Sequence, residues 1–435
     1  MRNILVVHYT PAPWPRASTR DHLYAFRRYS GCRCFYLNLA LRMVPWYIAR
    51  ISFDLIVFTT YFLGARWTRE DARRAVTRAR RLRSLGGVKI ALPQDEFVNT
   101  TWLCGFINEF GVDYVFSVAP ESEWPVLYPT VDVRRVGFVR VLTGYLDEAT
   151  LRRIAVLARA VPERPIAIGY RTAVLPWWGR FGWIRKRLAE VFTERARSRG
   201  WRTDISTQAG AFFNGDDWFR FLLRCRYTLG VEGGASLLDP VGTIQEQCLR
   251  YLVDHPGATF EELEAACFPR RDGSLRLRTL SPRHLEACAT RTCQILVEGE
   301  YSGVLVPGRH YIELKEDFRN LDEVLSMMQH DHLREEITEC AYREIVESGR
   351  FTYRRFVEFV LERALGPAPA RPRSAAAALA AQAAGWWNGI AEGVSLLPVI
   401  VLIWLKRLLP APVKRTLRRV AKRRPTGPFA ATGTP

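Results

Sequence analysis

Short apolar runs that open into glycine, proline or polar clusters alternate along most of this chain with amphipathic stretches of helical period. In the first third, Ile4–Val7, Cys34–Leu37, Leu55–Phe58, Lys89–Leu92 and Tyr114–Val118 have the length and the β-branched or aromatic content of buried strands. Between them, Thr68 to Leu85 reads as a helix. It opens with Thr68 three residues before Asp71, as a capping box does, and it stops at Gly86-Gly87. Strands alternating with helices imply a parallel sheet covered on both faces. After Val136 the pattern changes. A helix from Leu146 to Ala160 leads into Val161-Pro162-Glu163-Arg164-Pro165, and a new strand follows at Ile166–Gly169. The alternation then restarts with helix Trp183–Arg199, strand Thr203–Ser206, helix Asp216–Cys225 and strand Tyr227–Val231.

Two further helices, Thr243–Val253 and Thr259–Ala266, interrupt the second series and read as an insertion at about 240–280. The series resumes with helix Pro282–Thr290, strand Gln294–Val297 and an extended Tyr311–Leu314. A broken helix over Asn320–Val346 and a last one over Thr352–Leu365 complete it. The expected fold class is therefore α/β: two doubly wound, Rossmann-like domains, 1–145 and 146–365, facing across a cleft, with a tail over 366–435. Open sheets of this kind bind ligands at the carboxyl ends of their strands.

Charge and composition narrow what such a cleft could hold. The chain has 435 residues, enough for two cores, and a formal net charge of +19. From Gly366 onward there are eleven Lys and Arg residues against the single acid Glu392, so the tail carries +10 and the body +9. The body has no dense basic stripe interleaved with aromatics, which argues against nucleic acid as a partner and leaves acidic small ligands and anionic lipid. The nine cysteines are scattered apart from Cys32-x-Cys34 and show no paired metal spacing, so they read as reduced thiols in the cytosol with no metal site. Met1 to Val7 is too short an apolar run for a signal peptide and reads as a first strand.

Four segments could meet on one anionic ligand. Arg171 stands at the end of the first strand of the second domain, with Arg185 and Lys186 beyond it. Glu232, Gly233, Gly234, Ser236 and Asp239 follow a later strand, where glycines allow close backbone approach and the carboxylates could fix hydroxyls. Ser281 and Pro282 open a helix carrying Arg283, His284 and Glu286, and its free N–H groups suit a phosphate. Glu298, Glu300, Tyr301 and Ser302 follow the last strong strand. Phosphates on the positive helix end and sugar or ribose hydroxyls on the carboxylates would suit a nucleotide-diphosphate sugar.

The segments Leu280 to Ala287 and Ile295 to Tyr311, the latter ending in Leu305-Val306-Pro307-Gly308-Arg309-His310-Tyr311, resemble the C-terminal half of a GT-B glycosyltransferase. The likeness is to the family 1 and CgeB-like "glycosyl transferases group 1" domains, and it is strongest over residues 165–330. The resemblance implies transfer from a nucleotide-sugar donor held by the second domain to a glycan, lipid-linked or surface-polysaccharide acceptor on the first, with no obligatory metal or other cofactor. It implies that Arg171 and Arg185 or Lys186 hold the diphosphate and that Glu286 takes the ribose. Retaining members carry a second Glu eight positions earlier. Here that position is Arg278, so the carboxylate role passes to Glu232 or Asp239, and the stereochemistry stays open. An inverting reaction needs a base, for which His8, Asp95 and Glu96 stand at strand ends, with His22 beside Asp21 on the first helix. A sugar-nucleotide epimerase and a non-catalytic scaffold on the same fold are the alternatives.

The tail combines an alanine tract, Ala375–Ala384, with Trp386-Trp387, an apolar run of twelve residues from Val394 to Leu405, and basic residues from Lys406 to Arg424. A span needs about 20 apolar residues. This run is shorter and contains Ser395 and Pro398, so an in-plane or re-entrant anchor on anionic lipid is expected, at the cytoplasmic face of the cell membrane. A hydrophobic oligomerisation helix is the alternative.

Overall fold

The computed structural model describes residues 1–11, 17–208, 211–367 and 374–408; Arg371, Arg373 and the basic run Lys414 to Arg424 lie outside the described residues. Six parallel strands form the first sheet: β1 (Asn3–His8), β2 (Arg33–Asn38), β3 (Leu55–Phe58), β4 (Val88–Ala91), β5 (Tyr114–Ser117) and β6 (Gly137–Arg140). Their order is β2-β1-β3-β4-β5-β6. In the second domain come β7 (Ile166–Arg171), β8 (Thr203–Ser206), β9 (Cys225–Gly230), the short β10 (Gly233–Ala235) and β11 (Leu277–Thr279), then β12 (Cys293–Val297) and β13 (Ile312–Leu314). Five of these form a second parallel sheet, ordered β13-β12-β9-β7-β8, while β10 and β11 pair antiparallel outside it. Both domains are Rossmann-like. In each, the chain steps to one side of its first strand and then to the other, which opens a crevice between β1 and β3 and another between β7 and β9.

The strands form where period-two alternation can bury both faces. In β1, Leu5 and Val7 enter one core with Phe35, Ile56 and Phe58, whereas Ile4 and Val6 enter another with Leu55, Val57 and Phe116. Segments from the second half of the chain complete both cores. Ile244, Cys248, Phe260, Leu263, Phe268 and Leu275, all from the predicted insertion, belong to the first core. Tyr353, Phe356, Val357 and Val360, from the helix Tyr353–Leu365, belong to the second.

Backbone bonds tie the domains together at two places. Phe97 to Asn99 runs as a parallel bridge beside Asp239, with Asn99 N donating to Asp239 O and Asp239 N to Phe97 O, both at 2.8 Å. Leu146 N donates to Phe351 O at 2.8 Å, and Tyr353 N to Leu146 O at 2.9 Å. The tail differs from the sequence reading. The alanine tract, the tryptophan pair and the apolar run form one helix, Ala375–Leu408, of 34 residues with Pro398 inside it. By length and hydropathy this helix is long and apolar enough to cross a membrane. Its first half packs on β2.

Candidate functional site

The crevice at the ends of β7 and β9 collects three arginines. The helix Arg180–Ser198 delivers Arg185, and its start is fixed from outside: Phe181 N donates to Ser236 Oγ (3.2 Å) and Arg180 N to Asp272 Oδ1 (3.0 Å). Arg185 is buried. Its Nη2 donates to Glu232 O at 2.9 Å, its guanidinium lies 4.6 Å from the Trp178 ring, and its Nη1 has no partner among the described residues. Burial pulls its pKa down to about 10, and the positive charges of Arg283 and Arg278 push the same way.

Arg278, on β11, packs over the Phe181 ring and likewise has a buried Nη1 without a partner. Burial lowers it, opposed first by Glu232. Arg283 donates from Nη1 to Arg171 O at 2.6 Å and is lowered by burial, opposed first by Glu286. Three partly desolvated cations, two of them with a buried donor unpartnered among the described residues, are costly on their own account, and an anion in the crevice would relieve the cost.

Beside them lies a pocket of about 130 Å³ whose lining includes Ser18 from the first domain and Phe213, Trp218, Ser281, Arg283 and Glu286 from the second. Glu286 accepts a hydrogen bond from Trp218 Nε1 at 2.7 Å, which orients its carboxylate. Ser281 stands at the N-cap of the helix Pro282–Ala289 without a side-chain capping bond, so the positive helix end has no carboxylate or hydroxyl of its own. Opposite, Asp95 follows β4 in the left-handed conformation (φ 49°). The fully buried Arg66 pins its carbonyl, donating to Asp95 O and Gln94 O at 2.6 Å each. Burial raises the Asp95 pKa, opposed by Arg66 and then by Arg185 across the domain boundary.

Of the residues expected from sequence, the structure thus gathers Arg185, Ser281, Arg283 and Glu286, with Asp95 facing them. Arg171 borders this group, yet its Nη2 is paired with Asp204 and its Nη1 donates to Asp204 O at 2.7 Å, so its charge is already engaged. The others take structural contacts. Lys186 lies over Trp183, 3.9 Å from Glu190 on its own helix. Gly233 and Gly234 let β10 pair with β11: a Cβ on Gly234 (φ +115°) would sit 2.0 Å from Leu277 O. Ser236 donates to Asp272 Oδ1 at 2.8 Å. Asp239 is fully buried and accepts from Gln245 N at 2.9 Å, capping the helix Thr243–Asp254.

The Glu232 carboxylate accepts from Tyr301 N at 2.8 Å and so holds the turn after β12. Burial raises its pKa. Tyr301 is buried and donates to Val297 O at 2.5 Å, and Ser302 Oγ accepts from Leu280 N at 3.1 Å. Glu298 is exposed and accepts from Glu316 N at 2.9 Å; Glu300 is exposed. His284 is buried against Gln294 (3.0 Å), and burial holds its pKa down to about 4.

Among the acid–base candidates, Glu96 is sealed in the first domain, accepting from Tyr128 OH at 2.7 Å, and burial pushes it up to about 7. His8 is buried between Thr10 Oγ1 (2.9 Å) and Glu392 Oε1 (3.0 Å) of the tail helix. His22 is boxed by Tyr61, Tyr353 and Phe356, with neither ring nitrogen bonded among the described residues. Sequence reasoning missed the aromatic wall of Phe212, Phe213 and Trp218. Its signal was available: two phenylalanines in the loop after β8, on the carboxyl side of the sheet.

Among the described residues, one cluster has metal-ligand composition: His310, Cys340 and Glu344. It does not suit a cation. His310 Nδ1 accepts from Val306 N at 3.1 Å, so Nε2 carries the hydrogen directed at Glu344, 2.9 Å away, and Arg309 already pairs with that carboxylate.

No family model matches the chain, and no curated protein matches it. Among solved structures it is similar to Anabaena Alr3699/HepE in complex with UDP, at 10% identity and a TM-score of 0.47, covering 83% of this chain and 99% of that one. It is also similar to sucrose-phosphate synthase from Thermosynechococcus elongatus (11% identity, TM-score 0.43, 83% and 98%). A third is AviGT4, a glycosyltransferase involved in avilamycin A biosynthesis (11%, 0.42, 85% and 99%). Likenesses of this size do not identify a chain.

Proposed function

We propose that this chain is a GT-B type glycosyltransferase whose donor, a nucleotide-diphosphate sugar, binds at the crevice of the second domain. The observation that carries the reading is the group Arg185, Arg278 and Arg283 at the switch point, the first buried and the other two partly so, with two donors unused among the described residues and with a pocket beside it that holds an oriented carboxylate. In this reading the N-terminus of the helix Pro282–Ala289 and the arginines meet the diphosphate. Glu286 accepts from the ribose hydroxyls, and Phe213 and Trp218 flank the nucleoside. The arginines stabilise the charge that grows on the departing diphosphate, which is the part a metal ion plays in other transferases. Asp95 faces this group from the first domain, and its raised pKa suits a base that takes the proton of an acceptor hydroxyl. The acceptor is a glycan, lipid-linked or surface-polysaccharide hydroxyl on the first domain's side of the cleft.

Calorimetry with UDP and GDP tests this. Glu286→Gln should weaken nucleoside diphosphate binding by roughly 1.5–3 kcal/mol, the worth of a bond to a charged group. Arg185→Met should weaken UDP and GDP alike, because the arginine would meet phosphate and not base. Wild-type protein that binds no nucleoside diphosphate would remove the proposal.

A further inference from the structure

The helix Ala375–Leu408 has two unlike sides. On one, Ala381, Gly385, Asn388 and Glu392 recur every three or four residues and face the first domain. Ala381 and Asn388 are buried, and a Cβ on Gly385 would lie 3.5 Å from Arg33 Cδ. Asn388 Nδ2 donates to Tyr36 O (2.8 Å), while its Oδ1 accepts from Arg42 Nη2 (2.7 Å) and Tyr47 OH (3.2 Å). Glu392 pairs with Arg42 at 2.9 Å and with His8 at 3.0 Å. On the opposite side, Leu379, Trp386, Ile390, Val394, Leu397, Val401 and Trp404 also recur at three- and four-residue steps after the first, and each is 40% exposed or more. The loop whose Arg42 and Tyr47 hold Asn388 adds Met43 and Trp46, exposed by 57% and 66%.

We propose that this apolar stripe, with Met43 and Trp46, is a docking surface for an anionic lipid bilayer, and that the helix lies in the plane of that surface while its other side stays on β2. A crossing is disfavoured by the docked side. It would carry Asn388 and Glu392 out of their bonds and into hydrocarbon. If they stay docked, only residues 393–408 remain free, about 24 Å of helix against a hydrocarbon core of about 30 Å. A second copy of the chain fits less well than lipid. Trp386 and Trp404 lie along the exposed stripe and Trp46 beside it, where they suit a headgroup boundary, and nine basic residues follow in sequence from Lys406 to Arg424, which would repel in a pair and attract anionic lipid.

Through His8 and Glu392 the surface adjoins the carboxyl end of β1, at the crevice of the first domain. Given the transferase reading above, on which this last step rests, the acceptor side of the cleft is held at the membrane and the acceptor is lipid-linked.

The full chain should sediment with vesicles of phosphatidylcholine containing phosphatidylglycerol and not with phosphatidylcholine alone. Val394→Asp with Leu397→Asp should lower vesicle affinity by about a hundredfold. Both sites are exposed, so the melting temperature and the hydrogen-exchange protection of Arg33–Asn38 should not move. Trypsin added outside sealed vesicles should cleave the basic tail; protection of the tail would show a crossing and overturn the in-plane surface. Self-association in buffer that the double variant abolishes, without vesicle binding by the wild type, would assign the stripe to a second copy and overturn it too. Binding is read without donor, so it stands or falls apart from the transferase reading. The lipid-linked acceptor is tested by turnover in the same vesicles, which the double variant should lose while keeping turnover on a soluble glycan. Equal turnover by both proteins in vesicles would refute it.

Discussion

Asp95 and Glu96 are neighbours of the same chemical type with opposite surroundings, and sequence gives no means of telling them apart. The left-handed backbone at Asp95, held by the two bonds from Arg66, turns one carboxylate toward Arg185 and the other inward to Tyr128. Asp95→Asn should therefore reduce transfer by roughly 10²–10⁴-fold while leaving UDP affinity intact, since the loss is of proton transfer alone. Parallel losses in both would place Asp95 in donor binding instead. Glu96 has a different consequence. Its folded pKa, about 7, lies above its ordinary 4.5, so between these values the folded state holds a proton that the unfolded state has lost. Stability from this group is fully present below pH 4.5 and is lost as pH rises through 7, by about 3 kcal/mol in all. His22 and His284, both held down to about 4, act oppositely and cost stability as pH falls below 6.5. The wild-type melting temperature should thus fall between pH 6.5 and 7.5, and Glu96→Gln should flatten that fall. An unchanged slope in scanning fluorimetry would show that Glu96 is ionised in the fold. What the sequence did reveal at this scale was residue type at strand ends; the partners that consume Arg171 and Ser236 lie 33 and 36 positions away, and Asp239 is taken up by the amide of Gln245 six positions on while its backbone bridges to the first domain.

Elements were far more legible than side chains, because two-residue and helical periods are local. Expected strands Leu55–Phe58 and Thr203–Ser206 match β3 and β8 to the residue, and helix Thr243–Val253 is one residue short of the observed Thr243–Asp254. The helix Thr100–Phe110 and three strands escaped. β6 is a half-exposed edge strand with little apolar contrast, and β10 with β11 is a three-residue pairing across an insertion of some forty residues. That small hairpin matters to the proposed site, for β11 carries Arg278. Gly234 makes it possible through a positive φ and the close approach of Leu277 O. Gly234→Ala should cost about 1–3 kcal/mol and, by displacing β11, weaken nucleoside diphosphate binding as well. Gly233→Ala is the control. Its Cβ would meet the Thr279 methyl at 3.2 Å and Thr279 O at 3.4 Å, without a positive φ, so a far smaller effect is expected. Equal melting temperatures for the two variants would show that the hairpin adjusts freely.

At the scale of the whole molecule, the order of elements in sequence does not match the division of its cores. Both faces of the first sheet are finished by later segments: one by the helices between Asp239 and Leu277, the other by Tyr353–Leu365. Sequence pattern places these segments beside the second sheet, since nothing local in an amphipathic helix says which sheet it will cover. The cleft is consequently bounded by walls whose cores share chain, and the proposed donor site is built where they meet. Phe356 makes the test sharp. It is buried among Phe26, His22 and Tyr145 of the first domain, although it lies after the last strand of the second. Phe356→Ala should cost about 3–5 kcal/mol, the usual loss for a large aromatic in a core. Hydrogen exchange should then speed up first in β1 and β3, with β9 and β12 spared until global unfolding. Loss of protection confined to residues 353–365 would mean that the helix is a detachable strap, and that the first domain holds its fold without it.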